Sequence, residues 1–99
     1  MATYISLFKF GSDFGEGAGG VKGMIEGGAP ESHKLIESHG GKLIEVYLTM
    51  GQYDGALIVE FPDDISATRA ALAMRAFGGS TETLRAYPEK EWSKIAKGL

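Results

Sequence analysis

Four segments with the residue types of β-strands constrain this chain most, because their spacing leaves room for helices in two of the three gaps. The first segment, Thr3 to Phe10, is rich in aromatic and β-branched side chains, which favour an extended backbone. Lys42 to Met50 and Ala56 to Phe61 have the same character, and the glycine-containing stretch between them predicts a hairpin. The segment from Ser80 to Tyr87 alternates enough to be the last strand.

The stretches between and after the strands carry helix signals. A helix is predicted from Pro30 to His39, with proline at an allowed first-turn position and Gly40-Gly41 as its left-handed end. Asp63 is a typical N-cap for a second, alanine-rich helix that ends at Gly78-Gly79. Pro88 opens a last helix with one apolar side. That side consists of Trp92, Ile95, Ala96 and Leu99.

The order of these elements predicts the fold. Strand, helix, strand, strand, helix, strand, helix is the split βαβ pattern with an added C-terminal helix. We therefore predict an α+β protein, a ferredoxin-like sandwich with a four-stranded antiparallel sheet. At 99 residues the chain has the length of one domain, so residues 1–99 are predicted to fold as a single unit.

In such a fold the two main helices cover one face of the sheet. Alternate residues of a strand point to opposite faces, so the strand residues divide into two sets. We predict that the helix-covered set is Ile5, Leu7, Ile44, Val46, Leu48, Leu57, Val59, Phe61, Leu84 and Ala86. The opposite set is Tyr4, Ser6, Phe8, Phe10, Glu45, Tyr47, Thr49, Ala56, Ile58, Glu60, Thr83, Arg85 and Tyr87.

The opposite set is too aromatic for a face left open to water, since large apolar patches on soluble proteins mark association or ligand binding. We expect a second copy of the chain to cover it, in a homodimer or a larger homo-oligomer. Glu45, Glu60 and Arg85 would need partners or water in such an interface. The same mixture of rings and polar groups suits a small-molecule cleft between two facing sheets, which remains the alternative.

Composition disfavours several classes of function. There is no cysteine, so disulfides, thiolate catalysis and cysteine-ligated metal sites are excluded. Ten Lys and Arg against thirteen Asp and Glu give a net charge of −3, and the basic residues are scattered, so nucleic acid is not an expected partner. No apolar run approaches the roughly 20 residues of a membrane span, and the first residues lack a signal-peptide pattern. We expect no membrane partner and a cytoplasmic protein.

Two weaker patterns are interpreted as structural. The segment Gly15 to Gly20 fits the GxGxxG spacing of dinucleotide loops, but 15 glycines make a chance match easy and the second strand does not end in an acid. We predict a loop there and no cofactor. Val21, Met24 and Ile25, just downstream, have the spacing of a short helix.

A metal site is not expected either. His33 and Glu37 are four residues apart on a predicted helix, which is a spacing that two ligands of one ion can have. No third candidate ligand lies at a spacing along the chain that is typical of metal sites. We interpret both as solvated helix residues.

The segment from Thr49 to Gly55 is the most distinctive. Gly51 permits a positive φ, Asp54 can accept hydrogen bonds from turn amides, and Tyr53 places a phenol at the sheet edge, so a structural turn explains all three. In the functional interpretation, Tyr53 and Asp54 lie at the mouth of a cleft, as hydrogen-bond donor and as base or acceptor. No catalytic residue is assigned. The candidate ligand-binding residues are Tyr47, Thr49, Gly51, Tyr53, Asp54 and Arg85.

The same residues, Gly51-Gln52-Tyr53-Asp54, resemble the motif of the GYD domain family, small proteins named for that glycine, tyrosine and aspartate. The resemblance runs along nearly the whole chain, through Gly40-Gly41-Lys42 and Pro62-Asp63-Asp64 among other segments. It implies a ferredoxin-like fold related to the dimeric α+β barrels, and it marks Gly51, Tyr53 and Asp54 for testing without assigning them a reaction. The glycine-rich segment 11–28 departs from the family's pattern.

Two hypotheses about function follow. The first is a non-catalytic homo-oligomeric module that binds a small metabolite between facing sheets. The second is a cofactor-independent isomerase or oxygenase of the dimeric α+β barrel type, in which Thr49, Tyr53, Asp54 or Arg85 orients an aromatic or carbonyl compound. The enzyme needs a polar cleft with carboxylates of perturbed pKa, whereas the module needs only a complementary shape.

Overall fold

The computed structural model describes residues 1–17 and 19–99, so Ala18, which belongs to the GxGxxG match, lies outside the described residues. The strands are β1 (Ala2–Lys9), β2 (Lys42–Leu48), β3 (Gly55–Phe61) and β4 (Ser80–Ala86). They form one sheet in the order β2-β3-β1-β4, in which each neighbouring pair is antiparallel. This arrangement confirms the predicted α+β, ferredoxin-like fold.

Four α-helices accompany the sheet in the described part of the chain: α1 (Gly20–Gly27), α2 (Pro30–Ser38), α3 (Asp64–Met74) and α4 (Trp92–Ala96). The predicted helix after the first loop is therefore present as α1. The last helix is shorter than predicted, since a 3₁₀ turn at Glu89–Glu91 follows Pro88 and leads into α4. A second 3₁₀ turn, Arg75–Phe77, continues the end of α3.

The ends of the two main helices follow from local chemistry. The Asp63 carboxylate accepts a hydrogen bond from the amide of Ser66 at 2.8 Å, which makes Asp63 the predicted N-cap of α3. This bond lowers the pKa of the Asp63 carboxyl, because it stabilises the charged form. In α2, Pro30 occupies the first turn, where its missing N–H costs no hydrogen bond.

The hydrophobic core lies between the sheet and helices α2 and α3. Ile36 of α2 and Ala67 and Ala70 of α3 are buried, and the small alanines let α3 approach the sheet closely. Their partners on the sheet are Tyr4, Leu57, Val59 and Phe61. We call the side of the sheet that meets α2 and α3 the helix face.

The register between strands decides which residues share this face. Directly opposed residues of an antiparallel pair lie on the same side, and Tyr4 is opposite Val59 while Ser6 is opposite Leu57. Through β1 the same holds for β4, where Arg85 is opposite Tyr4 and Thr83 is opposite Ser6. Tyr4, Ser6, Thr83 and Arg85 therefore lie on the helix face.

The predicted division of the sheet is thus wrong for β1 and β4 and correct for β3. Ile5, Leu7, Leu84 and Ala86 were predicted to lie under the helices but lie on the other side of the sheet. Tyr4, Ser6, Phe8, Thr83 and Arg85 were predicted to lie on the other side but lie under the helices. Both alternate sets of β1 are apolar, so alternation alone did not distinguish them. Ile44 is also misplaced, because the register shifts between Leu43 and Glu45 and leaves Ile44 41% exposed.

We call the other side of the sheet the open face. Both helices that contribute residues to the core, α2 and α3, lie on the opposite side. The open face consists of Thr3, Ile5, Leu7 and Lys9 of β1, Lys42, Glu45 and Tyr47 of β2, Ala56, Ile58 and Glu60 of β3, and Ser80, Glu82, Leu84 and Ala86 of β4.

Candidate functional site

The turn between β2 and β3 carries most of the sequence-predicted site residues. The amide of Thr49 donates to the carbonyl oxygen of Asp54 at 2.9 Å, and the Thr49 hydroxyl donates to the carbonyl oxygen of Tyr53 at 2.7 Å. The amide of Asp54 donates in turn to the carbonyl oxygen of Phe8 at 2.8 Å. The turn is therefore tied both across its own hairpin and to the neighbouring strand β1.

Asp54 holds the end of β1 in place with its side chain. Its Oδ2 accepts a hydrogen bond from the backbone amide of Phe10 at 2.7 Å, one residue beyond the end of β1. This bond continues the pairing of β1 with β3 past the last ladder residues. The carboxylate already has a partner, and its position is explained by the fold.

Two glycines of the turn are required for different reasons. Gly51 has a φ of +117°, a conformation that residues with a side chain rarely adopt. Gly55 is buried, and a Cβ at this position would lie 2.5 Å from the carbonyl oxygen of Tyr47 and would overlap the ring of Phe8. Gly51 therefore permits the turn itself, and Gly55 permits the ring of Phe8 to pack against the start of β3.

Tyr53 reaches from the turn across the end of β1 to β4. Its hydroxyl donates a hydrogen bond to the carboxylate of Glu82, a residue of the open face. The Nζ of Lys9 lies 5.5 Å from the centre of the Tyr53 ring. The hydrogen bond to Glu82 raises the pKa of the Tyr53 hydroxyl above its usual value. The phenol thus remains a neutral donor at neutral pH.

The six candidate residues do not form one cluster. Thr49, Gly51, Tyr53 and Asp54 lie together in the turn, and Tyr47 stands on the open face beside Ala56. Arg85 lies on the helix face. There its guanidinium is 4.4 Å from the centre of the Tyr87 ring, and its Nη1 donates to the carbonyl oxygens of Thr3, at 3.0 Å, and of Ala86.

A cleft between α3 and β4, which we call the α3–β4 cleft, was not predicted from the sequence. It is an open cleft of about 370 Å³ beside the core, where α3 leaves part of β4 uncovered. Its polar lining consists of Tyr4, Asp64, Thr68, Arg75, Thr81, Thr83 and Arg85, and its apolar lining consists of Ala67, Ala71 and Leu72. The volume lies within the range of small-molecule pockets.

Tyr4 and Asp64 form a pair at this cleft. The hydroxyl of Tyr4, a side chain only 3% exposed, donates to the carboxylate of Asp64. Burial, followed by the hydrogen bond and the negative charge of Asp64, raises the pKa of Tyr4 to about 12. Tyr4 is consequently a neutral donor over the physiological pH range.

Ser6 lies next to the cleft and has no hydrogen-bond partner among the described residues. Its side chain is 4% exposed, and its Oγ meets no donor or acceptor. Ser6 borders a small void of about 10 Å³, which shares Ala67, Ala71 and Thr83 with the larger cleft. A buried, unpaired hydroxyl costs free energy, so this position is unusual in a core.

With this geometry in view, comparison with known proteins gives one result. A family model described as the GYD domain matches residues 4–96. This chain belongs to the GYD domain family. No curated protein and no solved structure matches it.

The GYD motif of this domain is explained by the turn described above. Gly51 supplies the positive φ, Tyr53 bonds to Glu82 of β4, and Asp54 bonds to the amide of Phe10 after β1. The motif thus joins the β2–β3 hairpin to both remaining strands.

Neither a metal site nor a membrane-spanning helix is found among the described residues, 1–17 and 19–99. Within them no three His, Asp or Glu side chains come together in a group suited to a metal ion. None of the helices in that part of the chain is long and apolar enough to cross a membrane.

The sequence contained a weak signal for the cleft that was missed. Thr81, Thr83 and Arg85 alternate along β4, as expected of a strand with one polar side. Arg75 follows α3 directly. Which side of β4 faces α3 follows only from the register with β1.

Proposed function

We propose that this GYD domain is a homo-oligomeric module whose subunits associate through the open face of the sheet. The observation that carries the proposal is the distribution of residues on that face. The two central strands contribute Ile5, Leu7, Ala56 and Ile58 to its middle, and Leu84 of the edge strand adjoins them.

The charged residues of the open face all lie at its margin. Glu45 and Lys42 belong to the edge strand β2, and Glu82 belongs to the edge strand β4. Glu60 lies near the end of β3, and Lys9 is the last residue of β1. An apolar centre with a charged, hydrated rim is the usual anatomy of a protein interface. Because Arg85 lies on the helix face, the centre contains no charge that would have to be buried.

The exposure of the apolar side chains fits the same proposal. Leu84 is 43% exposed and Tyr47 is 51% exposed, while Ile5, Leu7 and Ile58 are half-buried. A continuous apolar patch of this kind is uncommon on a monomer. A second copy is the occupant we propose, since one face that meets itself is the commonest arrangement in homodimers.

The dimensions of the strands fix the approximate size of the open face. Four strands of about seven residues, at about 4.8 Å between strands and 3.3 Å per residue, make a face of roughly 450 Å². Two such flat faces bury on the order of 900 Å², slightly less than the roughly 1,000 Å² of a specific interface, and the relief of the side chains adds to this area.

The enzyme hypothesis has less support from the same geometry. The Tyr53 hydroxyl is bonded to Glu82, and the Asp54 carboxylate is bonded to the amide of Phe10. Both groups therefore have structural partners. Arg85, proposed to act with them, lies on the opposite face of the sheet.

The test is the oligomeric state of two variants, Ile58→Glu and Leu84→Glu, measured by native mass spectrometry and by light scattering after size exclusion. We expect the wild-type protein to be a dimer or larger oligomer and both variants to be monomers. The reason is that each variant places a carboxylate in the apolar centre of the interface, where its burial is costly.

Ile65→Glu is the matched control. Ile65 is exposed on α3, far from the open face in the fold, so this variant should keep the wild-type mass. Circular dichroism would show that all three variants remain folded. A wild-type protein that is monomeric at every concentration, or an oligomer that both open-face variants preserve, would overturn the proposal.

A further inference from the structure

We propose that the α3–β4 cleft is a binding site for a small organic oxyanion, in which Arg75 and Arg85 bind a carboxylate or phosphate group. The site lies on the helix face, opposite the proposed interface, and does not depend on self-association. The charge of the cleft, the geometry of Arg85 and the unpaired hydroxyl of Ser6 are three separate observations that support it.

The first observation is the charge of the cleft. Its lining contains two arginines and one carboxylate, Asp64, whereas the whole chain carries a net charge of −3. Among residues 1–17 and 19–99 neither Arg75 nor Arg85 forms a salt bridge. Asp64 is already bonded to the Tyr4 hydroxyl. The cleft is therefore a local positive region on an acidic protein.

The second observation is the geometry of Arg85. Stacking on Tyr87 and two hydrogen bonds from Nη1 to backbone carbonyls hold the guanidinium in one place. A guanidinium has five N–H donors, so Nη2 and Nε remain for a ligand. A preorganised arginine fork is the side chain best suited to carboxylate and phosphate oxygens.

The third observation is Ser6. Its buried Oγ borders the small void, which shares Ala67, Ala71 and Thr83 with the cleft. A polar group of the ligand, or a water molecule that the ligand retains, would supply the hydrogen bond that the protein does not provide. Ala67 and Ala71, which line both spaces, provide small apolar side chains for the body of the ligand.

The experiment is a titration of the full chain with benzoate and with phenyl phosphate, followed by ¹H–¹⁵N NMR spectra and calorimetry. Benzyl alcohol serves as the neutral probe of the same size. We expect saturable binding of at least one anion, with shifts at Thr81, Thr83 and Ala71, and no saturation with benzyl alcohol. The tighter of the two anions identifies the oxyanion as carboxylate or phosphate.

Arg75→Gln and Arg85→Gln should each weaken that binding by about tenfold or more, because each removes a charge-assisted hydrogen bond. Arg69→Gln is the matched control, since Arg69 is exposed on α3 and outside the cleft, and its affinity should equal that of the wild type. Arg85 also binds two carbonyls, whereas Arg75 has no such bond among the described residues, so Arg75→Gln remains informative if Arg85→Gln unfolds.

Ser6→Ala gives a readout that a purely structural serine would not. We expect a higher melting temperature in the absence of ligand, because an unpaired buried hydroxyl is removed, together with weaker anion binding. Absence of binding by both anions, or equal binding by both arginine variants and the wild type, would overturn the proposal. Binding that persists in the monomeric variant Ile58→Glu would separate this site from the proposed interface.

Discussion

The helix face and the open face of the sheet contain similar apolar residues but use them differently. On the helix face, Leu57 and Val59 are 1% and 2% exposed, because α2 and α3 pack over them. On the open face, the neighbouring Ile58 is only half-buried. The comparison shows that hydrophobicity marks a residue for burial, while the position of the helices decides whether that burial occurs within the subunit.

This difference assigns a separate physical role to each face. The helix face supplies the free energy that holds the single subunit together, since its side chains leave water on folding. The open face leaves apolar surface in water, and that surface becomes favourable only when a second molecule covers it. Three predictions test the contrast.

The largest effect is expected for Leu57→Ala compared with Ile58→Ala. Leu57 is enclosed by the core, so its truncation leaves a cavity and should lower the free energy of unfolding by roughly 2–5 kcal/mol. Ile58 should cost clearly less in the subunit, because its side chain is partly in water. Urea denaturation at low protein concentration, where association contributes least, measures both. Equal losses would contradict the distinction between the faces.

An intermediate effect is expected for Gly55→Ala, which overfills the helix face instead of emptying it. The added methyl group would overlap the Phe8 ring and crowd the Tyr47 carbonyl, and the expected loss is about 1–3 kcal/mol. Gly27→Ala is the control, because the space around Gly27 is open and its φ is not positive, so stability should be unchanged or slightly higher. The measurement is the thermal unfolding of both variants and the wild type. An equal loss of stability in Gly55→Ala and Gly27→Ala would refute the steric explanation.

The smallest effect concerns the two bonded tyrosines, Tyr4 on the helix face and Tyr53 beside the open face, and it appears only at high pH. The pKa of Tyr4 is raised in the folded protein from 10.0 to about 12, so the folded state holds this proton more tightly than the unfolded state. The stability that this provides is complete below pH 10 and is lost as the pH rises towards 12.

The measurement is the free energy of unfolding of the wild type, Tyr4→Phe and Tyr53→Phe between pH 9 and pH 12. The wild-type stability should fall more steeply than that of Tyr4→Phe, because the variant lacks the shifted group. Tyr53→Phe should resemble the wild type more closely, since its phenol is only partly buried. Parallel curves for the wild type and Tyr4→Phe would show that Tyr4 does not titrate as proposed.

Much of the architecture could be predicted from local patterns. The four strands, the β2–β3 hairpin, the cap of α3 at Asp63 and the proline in the first turn of α2 follow from residues close together in the chain. The turn at Gly51, Tyr53 and Asp54 was likewise marked by its residue types, because turns depend on local backbone conformation.

Only the tertiary structure decided which residues of the strands face the helices and which face the open side of the sheet. Both sides of β1 are apolar, so only its register with β3 places Tyr4 and Ser6 under the helices and Ile5 and Leu7 on the open face. The same register turns Arg85 towards α3, so that it lines the cleft together with Arg75. The sequence by itself determined the order of the elements and their caps, because those depend on neighbours in the chain. The two faces and the cleft depend on contacts between residues far apart in sequence, which no local pattern encodes.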